Sequence, residues 1–225
     1  MTSYAADRQR MVQVQIAARG VRDEAVLRAM GEVPRERFVP DEYLRYSYDD
    51  CPLPIASGQT ISQPFIVAAM IEAAEVKPTD RVLEIGAGSG YAAAVLSRIA
   101  RNVIAIERHE GLADAGAQRM RELGYDNVQV ICADGSQGWL ESAPYDAIIA
   151  SAGAPAIPQA LKEQLDLGGR LVIPVGAAEE GQRLIKLRRE SATTLIEEDL
   201  GGVAFVPMIG VQGWREEDGR LYRTH

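Results

Sequence analysis

The chain has 225 residues with 47% hydrophobic and 25% charged side chains, enough for an ordinary α/β domain with a buried core. Its net charge of -8 weighs against a partner dominated by phosphate, because nucleic-acid binding calls for a basic face. Met1–Arg10 is polar without an apolar signal core, and no apolar run approaches the roughly 20 residues that span a bilayer, so a cytoplasmic, membrane-free protein is expected.

Along the chain, Met11, Val14 and Ala18 recur at helical spacing over 7–19, and Gly20 stops the helix. Asp23 is placed to cap a second helix through Met30, which Pro34 ends. Residues 31–61 are rich in Pro, Gly, Tyr and Asp and read as irregular. A helix starts at Ser62-Gln63-Pro64, with Ser62 as a cap, Pro64 in the first turn, and Phe65, Ile66, Ala69, Met70 and Ala73 on its apolar face. From Thr79 the texture changes. Apolar runs Arg81–Ile85, Asn102–Glu107, Val128–Cys132, Asp146–Ala150 and Arg170–Pro174 alternate with helical stretches near 91–100, 110–123 and 156–166. Nearly continuous apolar strands separated by helices predict a parallel sheet covered on both faces. Arg183–Arg188 and Thr193–Glu198 then read as antiparallel strands, with Val203–Val206 as a further candidate and a charged, loosely ordered tail after Trp214. The expected architecture is a doubly wound α/β fold in one domain. It comprises an N-terminal helical extension (1–78), a ligand-binding core (79–176) and a C-terminal β-rich segment (177–225).

Chemistry-bearing residues are few. The two histidines, His109 and His225, form no metal-ligand spacing with cysteine or acid, so no metal is expected. Cys51 and Cys132 are distant, and Cys132 sits in an apolar run; both read as free structural thiols. The most informative stretch is Val82–Tyr91. An apolar strand runs into Gly86, Gly88 and Gly90 and then into a helix, at the strand end where parallel sheets bind ligands. The third small residue of a dinucleotide fingerprint would fall at Tyr91, so that fingerprint fits poorly. Glu107 ends the next strand, where a carboxylate can accept from both hydroxyls of a ribose. Asp134-Gly135 follows the third strand, within reach of an adenine amino group. Glu84 lies inside the first strand, placed to support the glycine loop.

Upstream, Gly58-Gln59-Thr60-Ile61-Ser62-Gln63-Pro64 forms a distinctive heptapeptide. With Val33–Pro40, Val82–Tyr91, Ile106-Glu107-Arg108, Asp134-Gly135, Ile157–Leu161, Gln164-Leu165, Gly168–Gly176 and Phe205-Val206-Pro207, it resembles the protein-L-isoaspartate O-methyltransferase family over most of the chain. The resemblance implies a Rossmann-like seven-stranded methyltransferase sheet with an antiparallel last strand. It implies S-adenosylmethionine as cofactor, S-adenosylhomocysteine as product, and isoaspartyl-containing proteins and peptides as partners, repaired through a succinimide. It implies that Ser62 is the active-site hydroxyl and that Thr60, Ile61, Ser62 and Pro207 face the substrate. Glu84, Gly86, Gly88, Ser89, Gly90, Glu107, Asp134 and Gly135 would hold the cofactor. Ala133 departs from the glycine that usually precedes Asp-Gly, and Arg215–His225 exceeds short members. A methyltransferase acting on a metabolite or RNA, an NAD-dependent oxidoreductase, and a sensor or scaffold without turnover are the competing readings. Acceptance of D-aspartyl residues stays open, and a monomer is the default.

Overall fold

The computed structural model describes residues 4–177, 181–217 and 220–223, so Met1–Ser3 and His225 lie outside the described residues. The N-terminal helix opens as α1 (Tyr4–Arg10) and continues through a π-helical stretch, Met11–Ile16, and a 3-10 turn, Ala17–Arg19. Gly20, at φ +112°, ends it as expected. The buried face differs from the expected one. Met11, Val12 and Ile16 are buried, while Val14 and Ala18 are exposed. The i→i+5 winding widens the turn beyond the 3.6-residue period, so that Ile16 comes onto the face of Met11 and Val12.

Asp23 caps α2 (Glu24–Glu32), its Oδ1 accepting from the Ala25 and Val26 amides at 2.8 and 3.1 Å. Short 3-10 turns follow, and then a two-residue antiparallel pairing of β1 (Leu53–Pro54) with β2 (Thr60–Ile61). In α3 (Pro64–Ala73) the cap position belongs to Gln63, with Pro64 in the first turn. Ser62 is therefore no cap. Pro64, Val67, Ala68 and Ile71 form the fully buried face of α3, with Met70; the expected Phe65, Ile66, Ala69 and Ala73 are half-buried beside it.

The sheet contains β3 (Arg81–Ile85), β4 (Asn102–Glu107), β5 (Val128–Cys132), β6 (Tyr145–Ala150), β7 (Leu165–Val175), β8 (Gln182–Arg189) and β9 (Leu195–Val203). Helices α4 (Tyr91–Ser97), α5 (Glu110–Leu123) and α6 (Gln159–Glu163) make the crossovers. The spatial order is β5-β4-β3-β6-β7-β8-β9. The first five strands pair in parallel, β8 runs against β7, and the last strand, β9, pairs antiparallel with β8. The order reverses at β3, so a crevice opens beyond its carboxyl end. Alternate residues serve opposite faces. Val82, Val103, Ala105 and Ile149 join the core under the N-terminal helices, α3 and α4, whereas Leu83, Ile85, Ile104, Ile106 and Ile148 join the core on the other side.

Four expectations change. The helix over 156–166 shortens to α6 because β7 already begins at Leu165. No separate strand forms at Val203–Val206; β9 itself runs on to Val203. The charged tail carries regular structure within its described residues, β10 (Trp214–Glu217) pairing antiparallel with β11 (Arg220–Arg223). Cys132 is exposed rather than core, since it is the last residue of β5 at the sheet edge; Cys51 and Cys132 are both free.

One buried cation ties the layers together. Arg170 of β7 donates to the carbonyls of Ala74 and Asp146 at 2.8 Å each, to Glu75 O at 2.5 Å, and to Asp80 Oδ2 at 2.7 Å. It pins the end of α3 to the start of β3.

Candidate active site

At the end of β3 the backbone turns through Gly86, Gly88 and Gly90, all at positive φ. The amides of Gly86 and Ala87 both donate to Ile106 O, at 2.8 and 3.0 Å, which straps the loop to β4. Glu107 completes the strap: Oε2 accepts from the Gly88 amide and Oε1 from the His109 amide, both at 2.9 Å. The carboxylate is thus held in place by two backbone donors while it faces a cavity.

That cavity encloses about 760 Å³, counting its open mouth. One wall is Glu84 through Ser89, Glu107–His109, Gly135, and Ser151-Ala152 at the end of β6. The other is Gln59–Ser62 and Val206–Ile209. The two walls touch closely: a Cβ on Gly88 would stand 3.3 Å from Ile55 Cδ1 and 3.9 Å from Thr60 O. Gln182 fixes the second wall from β8. It donates to Phe205 O at 3.2 Å and accepts from the Phe205 amide at 2.6 Å.

Glu84 is 1% exposed and its Oε2 has no partner among the described residues. Burial pushes its carboxyl well above the usual range, the Glu107 charge pushes it further, and a hydrogen bond from the Ala93 backbone opposes both. His109 Nε2 is likewise buried without a partner. A buried carboxyl and a ring nitrogen without protein partners among the described residues, beside a backbone loop open to close approach, form a site built for a polar ligand that can bring donors and positive charge. On the opposite wall the Ser62 hydroxyl makes no hydrogen bond among the described residues, being freed from capping by Gln63.

A family model described as protein-L-isoaspartate(D-aspartate) O-methyltransferase matches residues 6–213. The chain belongs to this family. Protein-L-isoaspartate O-methyltransferase 1 of Rhodopseudomonas palustris (strain HaA2) is 59% identical over 95% of this chain and 87% of its own length. Protein-L-isoaspartate O-methyltransferase 2 of Pelobacter propionicus is 56% identical over 92% of each. A solved structure from Plasmodium falciparum, of the same family by name and in complex with S-adenosyl-L-homocysteine, superposes with a TM-score of 0.78. Its identity is 25%, over 90% of this chain and 98% of that one. The seven-stranded sheet is thus a methyltransferase sheet, and the chain is a member of an enzyme family.

Within this family member, Thr60, Ile61, Ser62 and Pro207 share the cavity with Glu84, Gly86, Gly88, Ser89, Glu107 and Gly135. Gly90 and Asp134 do not line it. Gly90 heads α4 and packs against Met120, whose Cε would lie 2.5 Å from an added Cβ. Asp134 Oδ1 accepts from the Ser136 amide and hydroxyl at 2.9 and 2.7 Å, and Oδ2 accepts from the Val211 amide at 2.8 Å. Its carboxylate is engaged by the C-terminal segment rather than turned to the cavity. Sequence reasoning missed Ser151, Ala152, His109 and Met208. For Ser151 the signal was its place just after the fourth parallel strand.

Among the described residues no group of histidine, cysteine and acid fits a metal ion, and no helix is long and apolar enough to cross a membrane.

Proposed function

We propose that this cavity holds S-adenosylmethionine and directs its methyl group onto the free carboxylate of L-isoaspartyl residues in proteins and peptides, with D-aspartyl residues as the second acceptor class. The observation that carries the reading is one cavity with two chemically different walls. The glycine loop, Glu84 and Glu107 line one side, and an unengaged Ser62 hydroxyl lines the other.

The residues present fit the cofactor. Glu107 stands where ribose hydroxyls would be received, and Gly86–Ser89 allow the backbone close approach. The unpartnered Glu84 oxygen suits the cationic amino group of the methionine portion. Asp134 contributes by capping the turn that sets Gly135 against the cavity. When bound, S-adenosylmethionine supplies a methyl carbon made electrophilic by a positively charged sulfur.

The chain's own task is alignment. An aspartyl-type carboxyl ionises near ~3.9, so the acceptor is already a nucleophile at neutral pH and asks for no general base. Ser62 donates a hydrogen bond that orients this carboxylate, and Thr60 and Ile61 flank it. Pro207 and Met208 close the site against water from the C-terminal side. Positioning of this kind supplies roughly 7–11 kcal/mol in favourable systems. In the released ester the neighbouring backbone amide nitrogen attacks the ester carbonyl and methanol leaves, giving a succinimide; hydrolysis of the ring regenerates part of the normal aspartyl linkage.

The test is methyl transfer from labelled S-adenosylmethionine to a matched pair of peptides. Base-labile label on the isoaspartyl peptide alone supports the reading; label on neither, with cofactor bound, overturns the acceptor assignment. Ser62→Ala is expected to lower turnover while leaving S-adenosylhomocysteine affinity unchanged. Wild-type turnover in that variant removes Ser62 from the mechanism.

A further inference from the structure

The acceptor loop is also held by a group that stands outside the cavity. Gln63, adjacent to Ser62, does not use its side chain to cap α3. Its Nε2 instead donates to Asp50, to the backbone oxygen at 3.1 Å and to Oδ2 at 2.7 Å. Arg19, from the end of the N-terminal helix, donates to the same Oδ2 at 2.5 Å. The Arg19 guanidinium in turn lies 3.6 Å from the centre of the Phe65 ring, on the first turn of α3. A closed circuit results: Arg19 grips Asp50, Asp50 grips Gln63, and Arg19 stacks on Phe65 two residues further on. None of these four residues lines the cavity, yet the circuit encloses the backbone that leads out of Ser62.

The Arg19–Asp50 pair is itself partly exposed, and two features make the circuit more than that pair. Its hydrogen bonds join segments 13 and 31 residues apart, on both sides of the short β1–β2 pairing. It also converges on one carboxylate oxygen, while Asp50 Oδ1 is buried without a partner among the described residues. Exposed ion pairs by themselves contribute little stability. A carboxylate that fixes the amide side chain beside a substrate-facing hydroxyl contributes geometry instead.

We infer that Asp50 is a positioning residue for the methyl acceptor. Through Gln63 it sets the backbone of Ser62, and Arg19 holds Asp50 in register. The inference rests on the proposed role of Ser62 and goes beyond it, by placing control of acceptor alignment in the N-terminal extension.

The experiment is a charge-swap cycle read out on isoaspartyl peptide kinetics, S-adenosylhomocysteine affinity by calorimetry, and melting temperature. Gln63→Glu sets two carboxylates against each other. It is expected to cut kcat/KM for the peptide by about tenfold or more, since small misplacements are costly in catalysis. Cofactor-product affinity should stay unchanged. Adding Asp50→Asn conserves the cluster's charge and restores an amide against a carboxylate, with donor and acceptor exchanged, and should recover part of the loss, the bond to the backbone oxygen of residue 50 remaining absent. Asp50→Asn alone keeps an acceptor for Gln63 and weakens only the Arg19 contact, so it should show a smaller defect. Equal losses in Gln63→Glu and in the double variant would overturn the inference. So would a loss of S-adenosylhomocysteine affinity that parallels the loss of turnover. The proposed function is judged separately, on whether the wild-type protein methylates the isoaspartyl peptide at all.

Discussion

Replacing Arg170 by methionine keeps an apolar stem in β7 and removes the guanidinium. The side chains of Arg170 and Asp80 are 7% and 5% exposed, so neither reaches bulk water. The substitution leaves a carboxylate and the carbonyls of Ala74, Glu75 and Asp146 without the donors they have now. Lys77 N still donates to Asp80 at 3.0 Å, so the carboxylate is not wholly abandoned. Removing one partner of a buried pair costs about 3–5 kcal/mol, because the other charge stays buried. For a chain of this size that corresponds to a fall in melting temperature of roughly 6–20 °C. Urea unfolding followed by circular dichroism gives the free energy, provided the slope is the same in both proteins. Asp80→Asn combined with Arg170→Met should cost less than the sum of the two single changes, since they break one interaction. A loss below about 1 kcal/mol in Arg170→Met, the range of an exposed ion pair, would refute the view that this cation locks α3 to the sheet.

Three further outcomes follow from the site. Glu84 has its folded-state value raised by burial and by Glu107, so its stabilising contribution is complete below the unfolded carboxyl value near ~4.3 and is lost as pH rises through the raised value. Glu84→Gln carries no charge at any pH. In cofactor-free protein its melting temperature should gain on wild type as pH increases, with weaker S-adenosylhomocysteine binding; parallel pH profiles would contradict this. Gly135→Ala brings a Cβ within 2.5 Å of Ile85 Cγ2, a branched residue of the cavity wall with little room to yield. Overpacking of this kind costs about 1–3 kcal/mol, and calorimetry should show weaker cofactor-product binding as well. Asp134→Ala removes the acceptor for Val211 N and Ser136 N, and the cost should be about 1–3 kcal/mol of stability. Hydrogen exchange should localise the loosening to the segment around Val211; unchanged protection there would show that the Asp134 bond does not anchor it.

The parallel strands were legible because burial on both faces leaves an almost uninterrupted apolar run, as in Val103–Ile106. The edge of the cavity was legible for a related reason: Gly86 and Glu107 stand just beyond such runs, where the chain must turn, whereas Asp134 stands beyond a third run without lining the cavity. What escaped depends on contacts between distant segments. Nothing local to Asp134 shows that Val211, far along the chain, supplies its donor. Nothing local to Ser62 shows that Gln63 takes the cap position while its side chain reaches back to Asp50. The N-terminal helix was found but its face was not, because a 3.6-residue period cannot anticipate π-helical winding. Cys132 was misread since an apolar neighbourhood in sequence says little about a residue at a sheet edge. Arg35, fully buried with its Nε on Ser47 O at 2.8 Å and its guanidinium over the Tyr91 ring, looks like any surface arginine in the sequence.

Strand β9 forms one border of the sheet, and its Leu195, Ile196 and Leu200 are exposed. An open border of this kind is a template on which a second chain can pair and from which aggregates can grow. Here the middle of the strand reads Glu197-Glu198-Asp199, followed by Gly201-Gly202. Two copies meeting antiparallel about the centre of the strand would set Asp199 against itself, with Glu198 close by on each side. Like charges directly opposite one another are unfavourable. Arg183 of the neighbouring strand bonds Asp199 at 2.8 Å from within the same molecule, which keeps that acid occupied at home. The exposed border of the sheet thereby carries its own deterrent to lasting pairing with a second copy of itself.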